Sequence, residues 1–432
     1  MDSGNTAWML TSAALVFLMT PGVAFFYGGM VRAKAVLNML MLSAAALSVT
    51  AVVWTLWGWS IAYAGSSIGG IFGDPATGFL LKDTMVFDAG TRQYTAAGLA
   101  ANGNKYPSSV DVSFQVTFAM ITVALICGAI AERVKYSTWM LFVALWVTFD
   151  YAPMAHMVWN NGLLSAKGPI STAIGAAAHD FAGGTVVHIN AAMAALIIVL
   201  IIGKRKGFGT QPFRPHNVPF VMLGAFLLWF GWFGFNAGSA FVANGTAGYA
   251  WVSTSAATAA AMLSWGFTEK IRTGHYTAMG AASGIVAGLV AITPAADVVS
   301  PLWAIVLGAI AGVLTCLACG LKFKLGYDDS LDVVGVHGVG GFTGTVLIGF
   351  FGEGTGLFAG GDWRQLVVQI IVALVAIVWS AVITGIIAFA LEKTIGWRVT
   401  EAQEVGGIDL ADQGERAYDF AGTASSVLKE VK

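Results

Sequence analysis

Long apolar runs, separated by short polar or basic connectors, recur from one end of this chain to the other. A helix needs about 20 mostly apolar residues to cross the hydrocarbon of a bilayer. Eleven segments come close to that length: Trp8 to Met30, Val36 to Tyr63, Val112 to Ala131, Thr138 to Val158, Phe181 to Ile202, Val218 to Ala240, Tyr249 to Phe267, Ala278 to Ile292, Leu302 to Leu321, Val333 to Phe351 and Leu366 to Leu391. The pattern predicts an all-α polytopic membrane protein with eleven transmembrane helices, surrounded by membrane lipid. Composition agrees, since 57% of residues are hydrophobic, only 10% are charged and mean hydropathy is +0.76. Soluble domains carry about 25% charge.

The basic residues orient these helices. Only Asp2 is charged before the first span, whereas Arg32 and Lys34 follow it, which argues against a cleaved signal peptide and for an outside amino terminus. With that orientation, every one of the 22 Lys and Arg falls on the cytoplasmic side except Lys82, Arg92, Lys105, Lys167 and Arg364. Most of those exceptions lie in the long polar loop from Gly65 to Ser109. An odd helix number then puts the carboxyl terminus in the cytoplasm. Residues 1–396 read as a transmembrane domain and 397–432 as a cytoplasmic tail, acidic through Glu401, Glu404, Asp409, Asp412, Glu415 and Asp419, and expected to be solvated. Helices one to five and six to ten form halves of equal helix count and opposite orientation, an inverted 5+5 repeat plus a final helix.

Charge and chemistry narrow the function. A net charge of -1 with no basic face gives no reason to expect nucleic acid. Cys127, Cys316 and Cys319 show no paired metal-ligand spacing and read as small buried hydrophobes. No cofactor and no enzymatic activity are expected. Two histidines, by contrast, sit inside lipid-like runs: His188 in Gly183-Gly-Thr-Val-Val-His-Ile-Asn190, on the fifth helix, and His337 in Val333-Val-Gly-Val-His-Gly-Val-Gly-Gly-Phe342, on the tenth. An ionisable group at membrane depth is costly and marks a pathway by default. The repeat brings the two to equivalent depths near the midplane, where substrate sites in such folds lie. His156, His179, His216 and His275 lie near helix ends or in loops and read as structural or solvated. Glycines at every third residue from Gly335 to Gly344, and at Gly280, Gly284 and Gly288, allow close helix packing.

Aromatic residues supply a route toward the histidines. Phe114 and Phe118, Trp159, and the run from Trp229 to Phe235 offer faces that attract a cation. Ser239 follows Phe235 by four residues and sets a hydroxyl on the same helix face. A ring plus an acceptor suits a small cation that can donate hydrogen bonds.

Taken together, Pro21-Gly-Val-Ala-Phe-Phe-Tyr-Gly-Gly29, Ala131-Glu-Arg133, His156-Met-Val-Trp159, Asp180-Phe-Ala-Gly-Gly-Thr-Val-Val-His188, Gly231-Trp-Phe-Gly-Phe-Asn-Ala-Gly-Ser239, Ile292-Thr-Pro-Ala295 and Asp332-Val-Val-Gly-Val-His-Gly338 resemble the ammonium transporter (Amt) family of the Amt/Mep/Rhesus superfamily. The resemblance covers nearly the whole chain. It implies a homotrimer in the cell membrane whose subunits each carry ammonium or ammonia through a narrow pore. Trp159, Phe118 and Ser239 match the outer recruiting site, Phe118 and Phe235 the stacked gate, and His188 with His337 the twin-histidine pair. Asp180 matches an acidic residue near the mouth that either holds the site in shape or favours the cation. The tail from Glu404 to Tyr418 resembles a regulatory segment where PII-type nitrogen-regulatory proteins dock.

Two departures stand out. Gln413 occupies a place where the family often has His, and Asn160 and Asn161 open a segment longer than in bacterial members, where glycines are frequent. The alternatives are a Rhesus-type ammonia/CO2 gas channel, an ammonium sensor acting through its tail, and a membrane haem enzyme with the two histidines as axial ligands.

Overall fold

A computed structural model of the protein describes residues 1–82 and 84–418. Asp419, Lys429 and Lys432, which entered the charge reading above, lie outside the described residues. The chain forms a helical bundle of α1 (Ser3–Met30), α2 (Val36–Ala62), α3 (Ser108–Cys127), α4 (Tyr136–Trp159), α5 (Gly184–Ile202), α6 (Val218–Ala240), α7 (Gly245–Thr273), α8 (Ala278–Ile292), α9 (Pro301–Leu325), α10 (Val334–Phe351) and α11 (Trp363–Thr394).

Among the described residues, nine of these helices are long and apolar enough to cross a membrane, all but α7 and α8. The α8 helix is apolar but only 15 residues long. The α7 helix is 29 residues long, yet its buried face is built of Ala247, Ala250, Ser253, Thr254, Ala257, Thr258 and Ala261. Those short side chains lower its hydropathy and let α8 and α9 pack closely against it. Elsewhere α1 packs along α6 and α3, and α11 runs along α5 and α10.

Helix ends differ from expectation where polar residues join a span. The third span begins at Ser108, after Pro107, rather than at Val112, and stops at Cys127 rather than Ala131. Beyond it Glu132 takes a φ of +70° and turns the chain. There Glu132 pairs with Arg32 at 2.8 Å, while the fully buried Arg133 donates to Ser330 Oγ and the Asp328 carbonyl, each at 2.7 Å. Arg205 closes on the Asp328 carboxylate at 2.9 Å. Burial alone would push that carboxyl up, but the Arg205 hydrogen bonds and the Arg133 charge hold it below its usual range.

Two elements were not foreseen. The long polar loop folds into antiparallel hairpins, β1 (Ser67–Ile68) with β2 (Phe72–Gly73) and β3 (Met85–Asp88) with β4 (Gln93–Ala96). Within the described part of the tail, Glu401, Asp412 and Glu415 are exposed as expected, but two of the acidic residues are buried. Thr400 and Gln403 form a reciprocal cap on the short helix Glu401–Gly406, and Glu404 and Asp409 are 3% and 2% exposed. Glu404 pairs with Arg398, and the Asp409 carboxylate accepts the Asn38 and Leu37 amides at 2.8 and 3.0 Å at the start of α2. A helix start has unpaired amides and a positive end, so a tail carboxylate is a fitting partner for it.

Candidate functional site

The sequence-singled residues converge along one line through the bundle. At one end α3, α4 and α6 bring Phe118, Trp159 and Ser239 onto one cavity of about 230 Å³. The Trp159 ring meets Phe118 edge-on, with centroids 5.9 Å apart at 87°, and its indole N–H donates to the Asp180 carbonyl at 2.8 Å. Ser239 donates its hydroxyl proton to the Phe235 carbonyl at 2.8 Å, so its oxygen lone pairs remain as acceptors on the cavity side. Asn160 and Asn161 form part of the same rim. Asn161 has a φ of +56°, a left-handed conformation that glycine adopts freely and asparagine tolerates better than most residues.

Below the cavity, Phe118 and Phe235 stack face to face, centroids 4.1 Å apart at 15°, and both are buried. Phe235 lies 6.2 Å from the His188 ring. His188 and His337 face each other at 5.3 Å and 20°, with Nδ1 to Nδ1 at 3.3 Å. They are 1% and 3% exposed, and His188 Nε2 has no hydrogen-bond partner among the described residues. The contact runs from Trp159 through both phenylalanines to the imidazoles without a break.

The two histidine segments share a local plan that the sequence reading missed. Asp180 and Asp329 each stand eight residues before a histidine. Asp180 accepts the Thr185 amide at 2.8 Å and Asp329 the Val334 amide at 2.7 Å, five residues on in both cases. Three residues after each aspartate the backbone turns left-handed, at Gly183 (φ +117°) and Asp332 (φ +64°), the latter steadied by Lys322 at 2.8 Å. Each helix then opens with a wide π-turn, Gly184–Ile189 and Val334–Gly338, that carries the histidine. Such turns cluster at functional sites because they aim side chains that a regular helix would not. Phe235 sits in a third, Phe233–Ala237. Helix approach is close at the pair, where a Cβ on Gly341 would come within 2.9 Å of His188 Cβ.

Asp180 does not line the cavity. One of its oxygens accepts the Gly183 and Gly184 amides at 2.8 and 2.6 Å, the other the Thr185 amide and hydroxyl, so the carboxylate is spent on the start of α5. Trp232 was missed although it lies within the noted aromatic run. Its indole stacks on His188 at 5.5 Å and 19° and is fixed by Thr293 Oγ1 at 2.8 Å. The remaining histidines are structural or solvated. His156 bonds Ser67 Oγ at 2.7 Å, His216 bonds the Tyr418 hydroxyl at 2.8 Å, His179 pairs with Asp297 at 2.8 Å and His275 is exposed.

A polytopic helical bundle with a polar aromatic antechamber, a closed ring stack and a buried imidazole pair is a membrane transporter for a small solute. Comparison with known proteins names the family. The Ammonium Transporter Family model matches residues 7–418. The chain is 52% identical over 442 residues to an ammonium transporter of Mycobacterium tuberculosis, covering 99% of this chain and 92% of that protein. It is 45% identical to one of Aquifex aeolicus, covering 97% and 94%. Among solved structures, Saccharomyces cerevisiae Mep2 superposes with a TM-score of 0.79 at 32% identity, covering 93% of this chain and 91% of that one. The protein belongs to the ammonium transporter family.

Proposed function

We propose that this protein carries ammonium across the cell membrane, recruiting the cation at Trp159, Phe118 and Ser239, releasing it past Phe118 and Phe235, and passing ammonia along His188 and His337. The observation that carries the reading is the unbroken contact from the outer cavity through the stacked rings to the imidazole pair. Trp159 supplies cation–π attraction and Ser239 an acceptor, which together favour a cation that donates hydrogen bonds. A bare cation entering the dry lumen meets a large desolvation cost. Ammonium escapes it by leaving a proton behind and crossing as small neutral ammonia, a route closed to sodium and potassium.

The imidazole pair suits this chemistry. One Nδ1–H···Nδ1 bond between neutral rings uses one donor and one acceptor, so one ring presents an Nε2 lone pair and the other an Nε2–H. When the bare Nε2 takes up a proton, the shared proton shifts to the other ring and that ring releases its Nε2–H, which exchanges the roles and gives ammonia an acceptor and the proton a relay.

The finer architecture follows the same reading. All eleven helices, α7 and α8 included, cross the bilayer with the amino terminus outside and residues 397–432 in the cytoplasm. The Asp–turn–His plan repeated at Asp180 and Asp329 supports an inverted 5+5 repeat. Three subunits assemble, each with its own pore, and the docked tail offers a surface for a PII-type regulatory protein. The test is current and uptake in proteoliposomes with ammonium, methylammonium, potassium and carbon dioxide. Ammonium and methylammonium should be carried and potassium excluded. Carbon dioxide flux without ammonium current would overturn the proposal in favour of a gas channel.

A further inference from the structure

The outer cavity is larger than one ion requires. Its volume of about 230 Å³ leaves room for several water-sized species, each occupying about 30 Å³ in the liquid. Of the residues that line it, Asp111 alone carries a charge. Asp111 begins a ladder on α3, since Asp111, Phe114, Gln115 and Phe118 lie at i, i+3, i+4 and i+7 on one face and all line the cavity. That spacing sets the carboxylate about 10 Å up the helix from the gate ring.

Its hydrogen bonding directs it there. Asp111 is 8% exposed, and Oδ1 accepts the Tyr106 hydroxyl at 3.0 Å. Tyr106 in turn accepts from Asn102, another lining residue. Although Asp111 stands in the first turn of α3, it accepts from none of that helix's amides, and Oδ2 accepts from no group among the described residues. One turn deeper, Gln115 Oε1 accepts the Tyr63 hydroxyl at 2.8 Å, so this wall continues as a row of acceptor oxygens. The Asp180 carboxylate, engaged with the start of α5, leaves the electrostatic task at the mouth unfilled.

We infer that Asp111, steadied by Tyr106, is the anionic wall of a first cation subsite, which holds ammonium or methylammonium before it reaches Trp159, Phe118 and Ser239. The inference rests on the transport reading above and adds a second binding step to it. Two unlike charges within one partly buried cavity attract strongly enough for a tenfold effect on occupancy, and added salt weakens that attraction.

The experiment is ammonium-dependent current in proteoliposomes for wild type, Asp111→Asn, Asp111→Glu and Tyr106→Phe, each at low and high choline chloride. Asp111→Asn should raise the half-saturating ammonium concentration roughly tenfold at low salt, and the gap from wild type should narrow at high salt. Asp111→Glu should restore most of the affinity, and Tyr106→Phe, which keeps the carboxylate, should shift it far less than Asp111→Asn. An unchanged half-saturating concentration in Asp111→Asn would overturn the inference. So would an equal, salt-independent loss in Asp111→Asn and Tyr106→Phe, which would make the carboxyl a loop anchor. Absence of wild-type ammonium current would instead refute the transport reading itself.

Discussion

Replacing Asp180 with Ala separates the two roles open to this residue, holding the site in shape or attracting the cation. Its carboxylate accepts the amides of Gly183, Gly184 and Thr185 at 2.8, 2.6 and 2.8 Å, and the Thr185 hydroxyl as well. Alanine leaves those donors without an acceptor at a partly buried helix start. Each unsatisfied group costs about 1–3 kcal/mol, reduced where water can replace the lost oxygen, so the local loss is about 2–4 kcal/mol. Opening of the first turn of α5 should become about 30- to 1,000-fold more frequent. Hydrogen exchange read by mass spectrometry over residues 183–188 measures it directly, beside ammonium current. Asp180→Asn keeps one oxygen for the Gly183 and Gly184 pair but turns an amide N–H toward Thr185, so it should fall between wild type and alanine. Wild-type protection in Asp180→Ala together with lost current would refute this account and make the residue an electrostatic one.

Trp159→Leu with Ser239→Ala should weaken ammonium discrimination at the outer cavity by about 1–3 kcal/mol, read as apparent affinity against methylammonium and potassium. The His179–Asp297 pair gives a pH signature. Burial alone would push the His179 imidazolium down, but the Asp297 carboxylate 2.8 Å away outweighs it and raises the group from its ordinary value. A raised histidine contributes stability fully at low pH and loses it as pH climbs through the folded value. Asp297→Asn should therefore lower the melting temperature at about pH 5.5 and have little effect near pH 8.5; an equal drop at both would contradict the pairing. Deleting Glu401 onward should abolish capture of a PII-type protein while leaving ammonium current, and binding retained by the truncated protein would show that the tail is not needed.

How much of this was legible in the sequence follows from what each feature depends on. Nine of the described helices declare themselves through length and apolarity, because a bilayer offers no partner for an unpaired backbone. Spans such as α10, Val334–Phe351, were therefore placed within a residue or so of the expected Val333 to Phe351. The line from Trp159 to His337 came from motif and resemblance, and the geometry brings those residues together. The π-turns at His188, Phe235 and His337 were invisible, because they arise from how helices pack and not from local composition. Asp111 was lost for a simpler reason: a charged residue ends an apolar run, so the third helix was started one position beyond it at Val112. The docking of Glu404 and Asp409 needed partners far away in the chain, in the loop after α5 and at the start of α2, and an acidic tail read by itself looks solvated.

The central claim is that His188 and His337 line the path of ammonia. Ammonium and potassium currents should be compared for wild type, His188→Ala, His337→Ala and the double variant at equal incorporation into proteoliposomes. Removing either ring takes away a hydrogen-bonding group from a lumen with few others, so each variant should either lose ammonium current or admit potassium. Equal ammonium current and equal exclusion of potassium in all four would mean that the pair is structural and that the path lies elsewhere.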